Sequence, residues 1–203
     1  ADLDKDGHLD IVSVHELDTE YGVPEGYVRI AWGSQDPLEW TSTTLASGSE
    51  APSAEDVDVA DADGDGWLDI VVACELAHLI YFKNPSKDHR EVIWERTVPE
   101  STLNRGSFIR VFFSDLDGDG KVEVVTANKG GENASGPDSP LNNVSFYKLP
   151  NEPLDGKEWV EVVLTQVKIP INSQPVDLDE DGDMDIVVGS RGEARILWME
   201  NLG

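Results

Sequence analysis

The sequence is organised around one acidic stretch, Asp61-Ala62-Asp63-Gly64-Asp65-Gly66-Trp67-Leu68-Asp69-Ile70-Val71-Val72-Ala73. Its first nine residues carry acids at positions 1, 3, 5 and 9 and glycine at position 6, and a β-branched run follows. The same arrangement starts at residues 2, 115 and 177, so the four starts are separated by 59, 54 and 62 residues. We call these segments loop 1 (2–10), loop 2 (61–69), loop 3 (115–123) and loop 4 (177–185). Self-similarity at a period of this size indicates a repeat protein.

The alternating acids of each loop predict a metal site. Carboxylates held this close repel one another unless a cation lies between them. Calcium accepts several oxygen ligands in flexible geometry, backbone carbonyls included, whereas magnesium demands a tighter octahedron. We therefore predict up to four Ca²⁺ ions, bound by the acids at positions 1, 3, 5 and 9 and, by analogy with other such loops, by the carbonyl at position 7. The predicted ligands are Asp2, Asp4, Asp6, His8 and Asp10; Asp61, Asp63, Asp65, Trp67 and Asp69; Asp115, Asp117, Asp119, Lys121 and Glu123; and Asp177, Asp179, Asp181, Asp183 and Asp185.

An EF-hand is excluded by the residues that follow each loop. That motif needs a bidentate Glu at position 12 and flanking helices. Position 12 here lies in short β-branched runs that indicate strands, and it is occupied by Ser13, Val72, Thr126 and Val188. The remaining alternative is an Asp-Gly turn that binds no metal. The four loops carry acids at the same positions 1, 3, 5 and 9, and this repetition favours a metal site. Loop 3 is the least regular, because Glu123 replaces Asp at position 9 and its reach differs.

Composition restricts the partners and the compartment. The 203 residues include 41 acids and carry a formal net charge of −26, so binding to nucleic acid or an anionic membrane is not expected. The sequence contains no run of 18 apolar residues, so membrane insertion is not predicted. The single cysteine, Cys74, excludes an internal disulfide. Weak calcium sites suit the millimolar calcium outside cells, which predicts an extracellular or cell-surface protein. Asn133 and Asn143 begin possible glycosylation tripeptides.

The runs between the loops predict fourteen strands and no long helix. The second and third units each have four strands, which we label A to D in chain order, with the acidic loop between A and B. The first unit lacks A and the fourth lacks D, and because residue 1 directly precedes loop 1 we expect further sequence upstream. The predicted strands are 9–15, 27–32 and 40–46; 54–60, 68–74, 78–83 and 91–98; 107–113, 122–128, 143–149 and 159–165; and 171–176, 184–189 and 195–200.

Small sheets in tandem that cannot each bury both faces alone pack radially as a β-propeller. We therefore predict an all-β fold: a single β-propeller region over 1–203, built of four-stranded antiparallel blades, two whole and two incomplete. The approximate repeats are 1–50, 51–104, 105–168 and 169–203. The aromatic side chains expected to fill the space between blades are Trp32, Phe82, Tyr147, Trp198, Trp40, Trp94 and Trp159.

The incomplete blades leave three arrangements open. We prefer a fragment of a larger propeller. A compact four-bladed propeller lies within the range of the architecture. Alternatively, protomers exchange their open blade edges to form a homo-oligomer, because unpaired edge strands invite pairing with another chain.

The loop phrase Asp-x-Asp-x-Asp-Gly-x-x-Asp-Ile-Val-Val, with the runs at 79–85 and 196–201 a few residues on, resembles the FG-GAP/VCBS repeats. Those repeats build propellers similar to that of integrin α-subunits and occur in many secreted bacterial and fungal proteins. The resemblance covers essentially the whole chain. It implies a propeller of about seven blades with calcium in the loops. It implies less about activity, because the family spans adhesion modules, lectins and a few enzymes.

Two classes of function follow. The first is a non-catalytic, calcium-stabilised module that recognises protein or glycan through the B–C and D–A connections, at the end opposite the acidic loops. The alternative is a carbohydrate-active enzyme resembling keto-sugar dehydratases, with its site on that same end. Its candidate catalytic residues are His15, Glu75, His78 and Arg110, and no family motif supports them residue by residue.

Overall fold

The computed structural model describes residues 1–16, 25–75, 77–131, 134 and 136–203. Fourteen strands form four antiparallel sheets over these residues, so the all-β prediction is confirmed. Sheet 1 contains β1 (Ile11–Glu16), β2 (Gly26–Trp32) and β3 (Thr41–Gly48); sheet 2 contains β4 (Ala54–Ala60), β5 (Asp69–Cys74), β6 (Leu79–Lys83) and β7 (Glu95–Thr97). Sheet 3 contains β8 (Ser107–Ser114), β9 (Glu123–Gly130), β10 (Leu141–Lys148) and β11 (Val160–Lys168); sheet 4 contains β12 (Pro170–Val176), β13 (Asp185–Ser190) and β14 (Arg195–Met199).

Within each sheet the strands pair in chain order, and each acidic loop except the first joins strand A to strand B. Loops 2, 3 and 4 are thus the β4–β5, β8–β9 and β12–β13 hairpins. Loop 1 leads into β1 without a preceding strand in the described chain. The acidic loops and the C–D connections therefore share one end of the sheets, and the B–C turns lie at the other end.

The sheets stack in chain order and bury one apolar core between each pair. Residues of β2, β5 and β6 form the core between sheets 1 and 2, and the side chains on the opposite faces of β5 and β6 form the core with sheet 3. Every residue of β5 is buried for this reason, since sheet 2 is covered on both faces. A third core joins sheets 3 and 4. The array of described residues is not closed into a ring.

Several local expectations are corrected. Trp40 and Trp198 were expected between blades but are 44% and 47% exposed, whereas the other five aromatics named above are buried. Residues 91–94 lie outside β7, and a short 3₁₀ helix, Glu100–Thr102, follows it. Asn133 and most of the 16–26 connection lie outside the described residues.

Candidate metal centre

Each acidic loop is turned by hydrogen bonds from its own backbone to its own carboxylates. The N–H of the position 6 glycine donates to the position 1 carboxylate at 3.1, 2.9, 2.9 and 3.2 Å in loops 1 to 4. The N–H of position 7 donates to the position 5 carboxylate at 2.8, 2.9, 2.8 and 3.0 Å. The position 6 glycines have φ between +85° and +101°, a region that L side chains rarely adopt. The four loops thus share one turn that gathers the alternating acids.

The gathered carboxylates form one cluster of three per loop, with ligand oxygens within 4.8 Å of one another. Loop 1 contributes positions 1, 3 and 5, loops 2 and 3 contribute positions 1, 3 and 9, and loop 4 contributes positions 1, 3 and 5. Glu123 belongs to the loop 3 cluster, so the longer side chain at position 9 reaches its neighbours. These all-oxygen clusters suit a hard divalent cation.

Three loops contain a carboxylate oxygen that lacks a partner. Oδ1 of Asp2, of Asp61 and of Asp115 is buried and accepts no hydrogen bond from the described residues. In each case Oδ2 of the same carboxylate is satisfied by the position 6 glycine. A buried polar atom without a partner costs free energy, and more when it is charged. A cation bound at that oxygen removes the cost, so loops 1 to 3 fit a metal.

Loop 4 is arranged differently. Asp181 N–H donates to Asp177 Oδ1 at 3.2 Å, so both oxygens of the position 1 carboxylate accept hydrogen bonds. Partial desolvation and the charges of Asp181 and Asp185 raise the pKa of Asp179. In loop 3 the equivalent Asp117 has a lowered pKa, because Lys148 donates a hydrogen bond to it. The position 3 carboxylates of the loops thus differ in their counter-ions.

The acid at position 9 has a structural role that the sequence did not reveal. Its side chain accepts the N–H of position 2 in every loop, at 2.8, 3.2, 2.9 and 3.2 Å. In loops 1, 2 and 4 its other oxygen accepts the backbone N–H that follows strand C, at 2.9, 2.8 and 2.8 Å. Burial raises the pKa of Asp69 to about 6, against the hydrogen bonds it accepts from Asn84 and Tyr81. In loops 1, 2 and 4 the acid at position 9 therefore ties the loop to the end of strand C of its own sheet.

Asparagine side chains link neighbouring loops. Asn84 Nδ2 donates to the carbonyls of Leu3 in loop 1 and Leu68 in loop 2, both at 3.0 Å. Asn201 repeats the arrangement, donating to Leu116 of loop 3 at 2.7 Å and to Met184 of loop 4 at 3.4 Å. The sequence signal was present, since each Asn lies at the end of the strand C motif, but one of its two partners belongs to the preceding repeat.

Three basic side chains also escaped the sequence analysis. Lys83 pairs with Asp63 of loop 2, Lys148 pairs with Asp117 of loop 3 at 2.8 Å, and Arg90 pairs with Asp4 of loop 1 at 2.7 Å. Each contacts the acid at position 3. An alignment of the repeats on strand C would have shown Lys83 and Lys148 in the same register.

The residues of the enzyme alternative have separate partners. His15 stacks on Tyr27 with ring centroids 4.8 Å apart, and Glu75 forms an ion pair with Lys129. Arg110 Nη1 donates to the carbonyl of Ile109 at 3.0 Å, and burial lowers the pKa of His78. Among the described residues, no hydrogen bond or ion pair joins His15 to His78 or to Arg110. The assignment of catalytic roles to these residues stays a prediction.

The stacked antiparallel sheets, each with an acidic loop at the same end, define an all-β repeat protein. Residues 2–72 match the model of the FG-GAP-like repeat, from loop 1 into β5. The match confirms, over these residues, the resemblance drawn from the loop and strand motifs. Repeats of this kind are typical of extracellular recognition and adhesion modules. No curated protein matches the chain. None of the helical segments among the described residues has the length and apolar character needed to cross a membrane.

Proposed function

We propose that this chain is a calcium-stabilised extracellular β-propeller module that recognises protein or glycan and is not itself catalytic. The observation that carries the proposal is the unpartnered inner oxygen of Asp2, Asp61 and Asp115. Each lies in a cluster of three carboxylates whose ligand oxygens lie within 4.8 Å of one another, an arrangement that suits a divalent cation. Calcium is favoured over magnesium because its ligand number and geometry are the more flexible.

Calcium in these loops has a structural role. Each loop joins the first two strands of a sheet or leads into the first, and Asn84 and Asn201 connect the loops of neighbouring sheets. The first strands also contact one another between sheets: Val111 and Phe113 of β8 donate N–H groups to Asp56 and Asp58 of β4 at 3.1 and 2.8 Å. A metal that orders one loop therefore stabilises the seam with the next sheet.

The outer face of sheet 4 supports the proposal that these sheets belong to a larger propeller. Ile196 and Trp198 share the register of Leu79 and Tyr81, which are fully buried between sheets 2 and 3. Ile196 is nevertheless 77% exposed. Asn172 shares the register of Asp56, which accepts an N–H from sheet 3, yet Asn172 Oδ1 is buried without a partner among the described residues. Both features suit a covering sheet of the same kind.

The exposed face gives a direct test. An apolar fluorescent dye should bind the purified protein, and Ile196→Lys should at least halve the signal, because it places a charge in the apolar patch. Leu38→Lys is the control, since Leu38 is 88% exposed on a connection of sheet 1. The melting temperature should stay the same in both variants. Equal dye binding by all three proteins would contradict an apolar docking face on sheet 4.

Recognition is proposed at the end opposite the acidic loops, where the B–C and D–A connections present varied polar groups. Arg191 and Asn104 are exposed there, and loops on a rigid scaffold commonly carry binding residues. A glycan array and a panel of extracellular protein domains should give binding that Arg191→Ala weakens and Asn151→Ala, at the acidic end, leaves unchanged. Product analysis on every glycan that binds should show no turnover. Conversion of a bound sugar would favour the enzyme alternative.

A further inference from the structure

The residue directly after each nine-residue loop, position 10, pairs with a residue of strand C. The residue that follows this partner along strand C differs among the four units. Position 10 of loops 2, 3 and 4 pairs with Phe82, Tyr147 and Met199. The next residues are Lys83, Lys148 and Glu200. In sheet 1 position 10 pairs with Ala31, and the next residue is Trp32. One place in the fold, beside the acidic loop, is thus occupied by two lysines, a glutamate and a tryptophan.

Both lysines at this place contact their own loop. Lys83 Nζ donates to Asp63 Oδ2 and lies 3.7 Å from Asp65 Oδ2, so it contacts positions 3 and 5. Lys148 Nζ donates to Asp117 Oδ2 at 2.8 Å, which is again position 3. The contacts use Oδ2, while Oδ1 of the same carboxylates accepts the position 5 N–H at 3.0 and 3.4 Å. Loops 2 and 3 therefore each have one lysine ammonium group in contact with the carboxylate at position 3.

Loop 1 obtains its positive charge from the next sheet. Arg90, in the connection between β6 and β7, places its guanidinium 5.2 Å from the centre of the Trp32 ring. From there Arg90 Nη2 reaches Asp4 Oδ2 at 2.7 Å and Asp6 Oδ2 at 2.8 Å. Tryptophan at the lysine place thus supports an arginine that makes the same contacts with positions 3 and 5.

Loop 4 has no such cation among the described residues. None of their ion pairs involves an acidic residue of loop 4. The place of Lys83 and Lys148 holds the exposed Glu200, a further negative charge. Loop 4 also has the most acids of the four, at positions 1, 3, 4, 5, 7 and 9. It is the loop with the largest uncompensated negative charge.

We propose that Lys83, Lys148 and Arg90 are resident counter-ions that weaken calcium binding at loops 1 to 3 and keep those loops folded without the ion. Loop 4, with Glu200 in place of a counter-ion, is then the tightest calcium site and the one whose folding depends on calcium. This rests on the proposed role of calcium in the loops. The fold thereby contains two classes of site, set by one position of strand C and by Arg90.

The size of the effect follows from the charges. A divalent ion and a unit charge about 6 Å apart interact enough in a water-like dielectric to change an affinity roughly tenfold. Glu200→Lys changes the charge at this place by two units and should weaken loop 4 by about a hundredfold at low salt. Lys148→Gln removes one unit and should tighten loop 3 about tenfold. Both changes should shrink as salt is added, because the groups are exposed.

The experiment is a calcium titration of chelator-treated protein by calorimetry, paired with terbium luminescence. Trp67 lies in loop 2, and Trp198 donates its indole N–H to Asp185 of loop 4 at 2.8 Å, so the two tryptophans sensitise terbium in different loops. We expect one tight site in the native protein, reported by Trp198 and lost in Asp179→Ala. Glu200→Lys should weaken that site, and Lys148→Gln should tighten a different one. Lys168→Gln, a charge change at the far end of β11, should alter neither.

Each outcome separates the inference from the calcium proposal. Four sites of equal affinity, or a tight site that survives Glu200→Lys unchanged, would overturn the counter-ion assignment while leaving calcium in the loops. A tight site that persists in Asp179→Ala would do the same. Absence of calcium binding at all four loops would overturn both the counter-ion assignment and the proposed role of calcium.

Discussion

Removing calcium with a chelator is expected to lower the melting temperature of this protein by more than about 10 °C. A ligand at a hundred times its dissociation constant stabilises the folded state by about 2.7 kcal/mol per site. A domain of this size shifts by about 2–4 °C per kcal/mol, so several filled loops exceed 10 °C together. Differential scanning calorimetry at millimolar calcium, then with excess chelator, measures the shift.

A single-site variant provides the matched comparison. Asp63→Ala removes position 3 of loop 2 and the partner of Lys83, so it should lose part of the calcium-dependent shift and retain the rest. Glu152→Ala makes the same change of charge on an exposed connection and should behave as the native protein. Identical melting curves for native protein with calcium, native protein with chelator and Asp63→Ala would contradict a structural role for the ion.

The second large effect is expected at the other end of the sheets. Lys129, at the end of β9, pairs with Glu75, directly after β5, and their side chains are only 7% and 6% exposed. Removing one partner of a buried pair takes away compensation from the charge that remains and typically costs about 3–5 kcal/mol. Glu75→Ala should therefore lower the free energy of unfolding in urea by about that amount, and Lys129→Ala should do the same.

Two controls define the cause of that loss. The double variant Glu75→Leu with Lys129→Met should recover most of the stability, because apolar replacement of both partners leaves no buried charge. Breaking the exposed pair between Arg195 and Glu193, 3.1 Å apart, should cost no more than about 1 kcal/mol. A cost for Glu75→Ala as small as that for the exposed pair would show that the seam between sheets 2 and 3 does not depend on this contact.

The local features of this protein were predictable because their cause lies within short stretches of sequence. The β-branched run after each loop gave strands at β1, β5, β9 and β13, with bounds that the structure moves by two residues at most at their starts. The glycine at position 6 and the alternating acids gave the loop and its clusters. Burial was predicted correctly for the five aromatics that pack between neighbouring sheets. It was wrong for Trp198, whose sheet has an uncovered face among the described residues.

What the sequence by itself determined was the repeat, the all-β class and the placement of acids that suits calcium. The tertiary structure decided which atoms complete each loop: a lysine of the same sheet, an arginine of the next sheet, or an asparagine that reaches the preceding loop. It also decided that Glu75 is paired with Lys129 across a seam. The physical reason is distance along the chain. The apolar pattern of a strand and the chemistry of a turn act within about ten residues. These partners are 31, 86, 81 and 54 residues apart and meet only in the folded sheets.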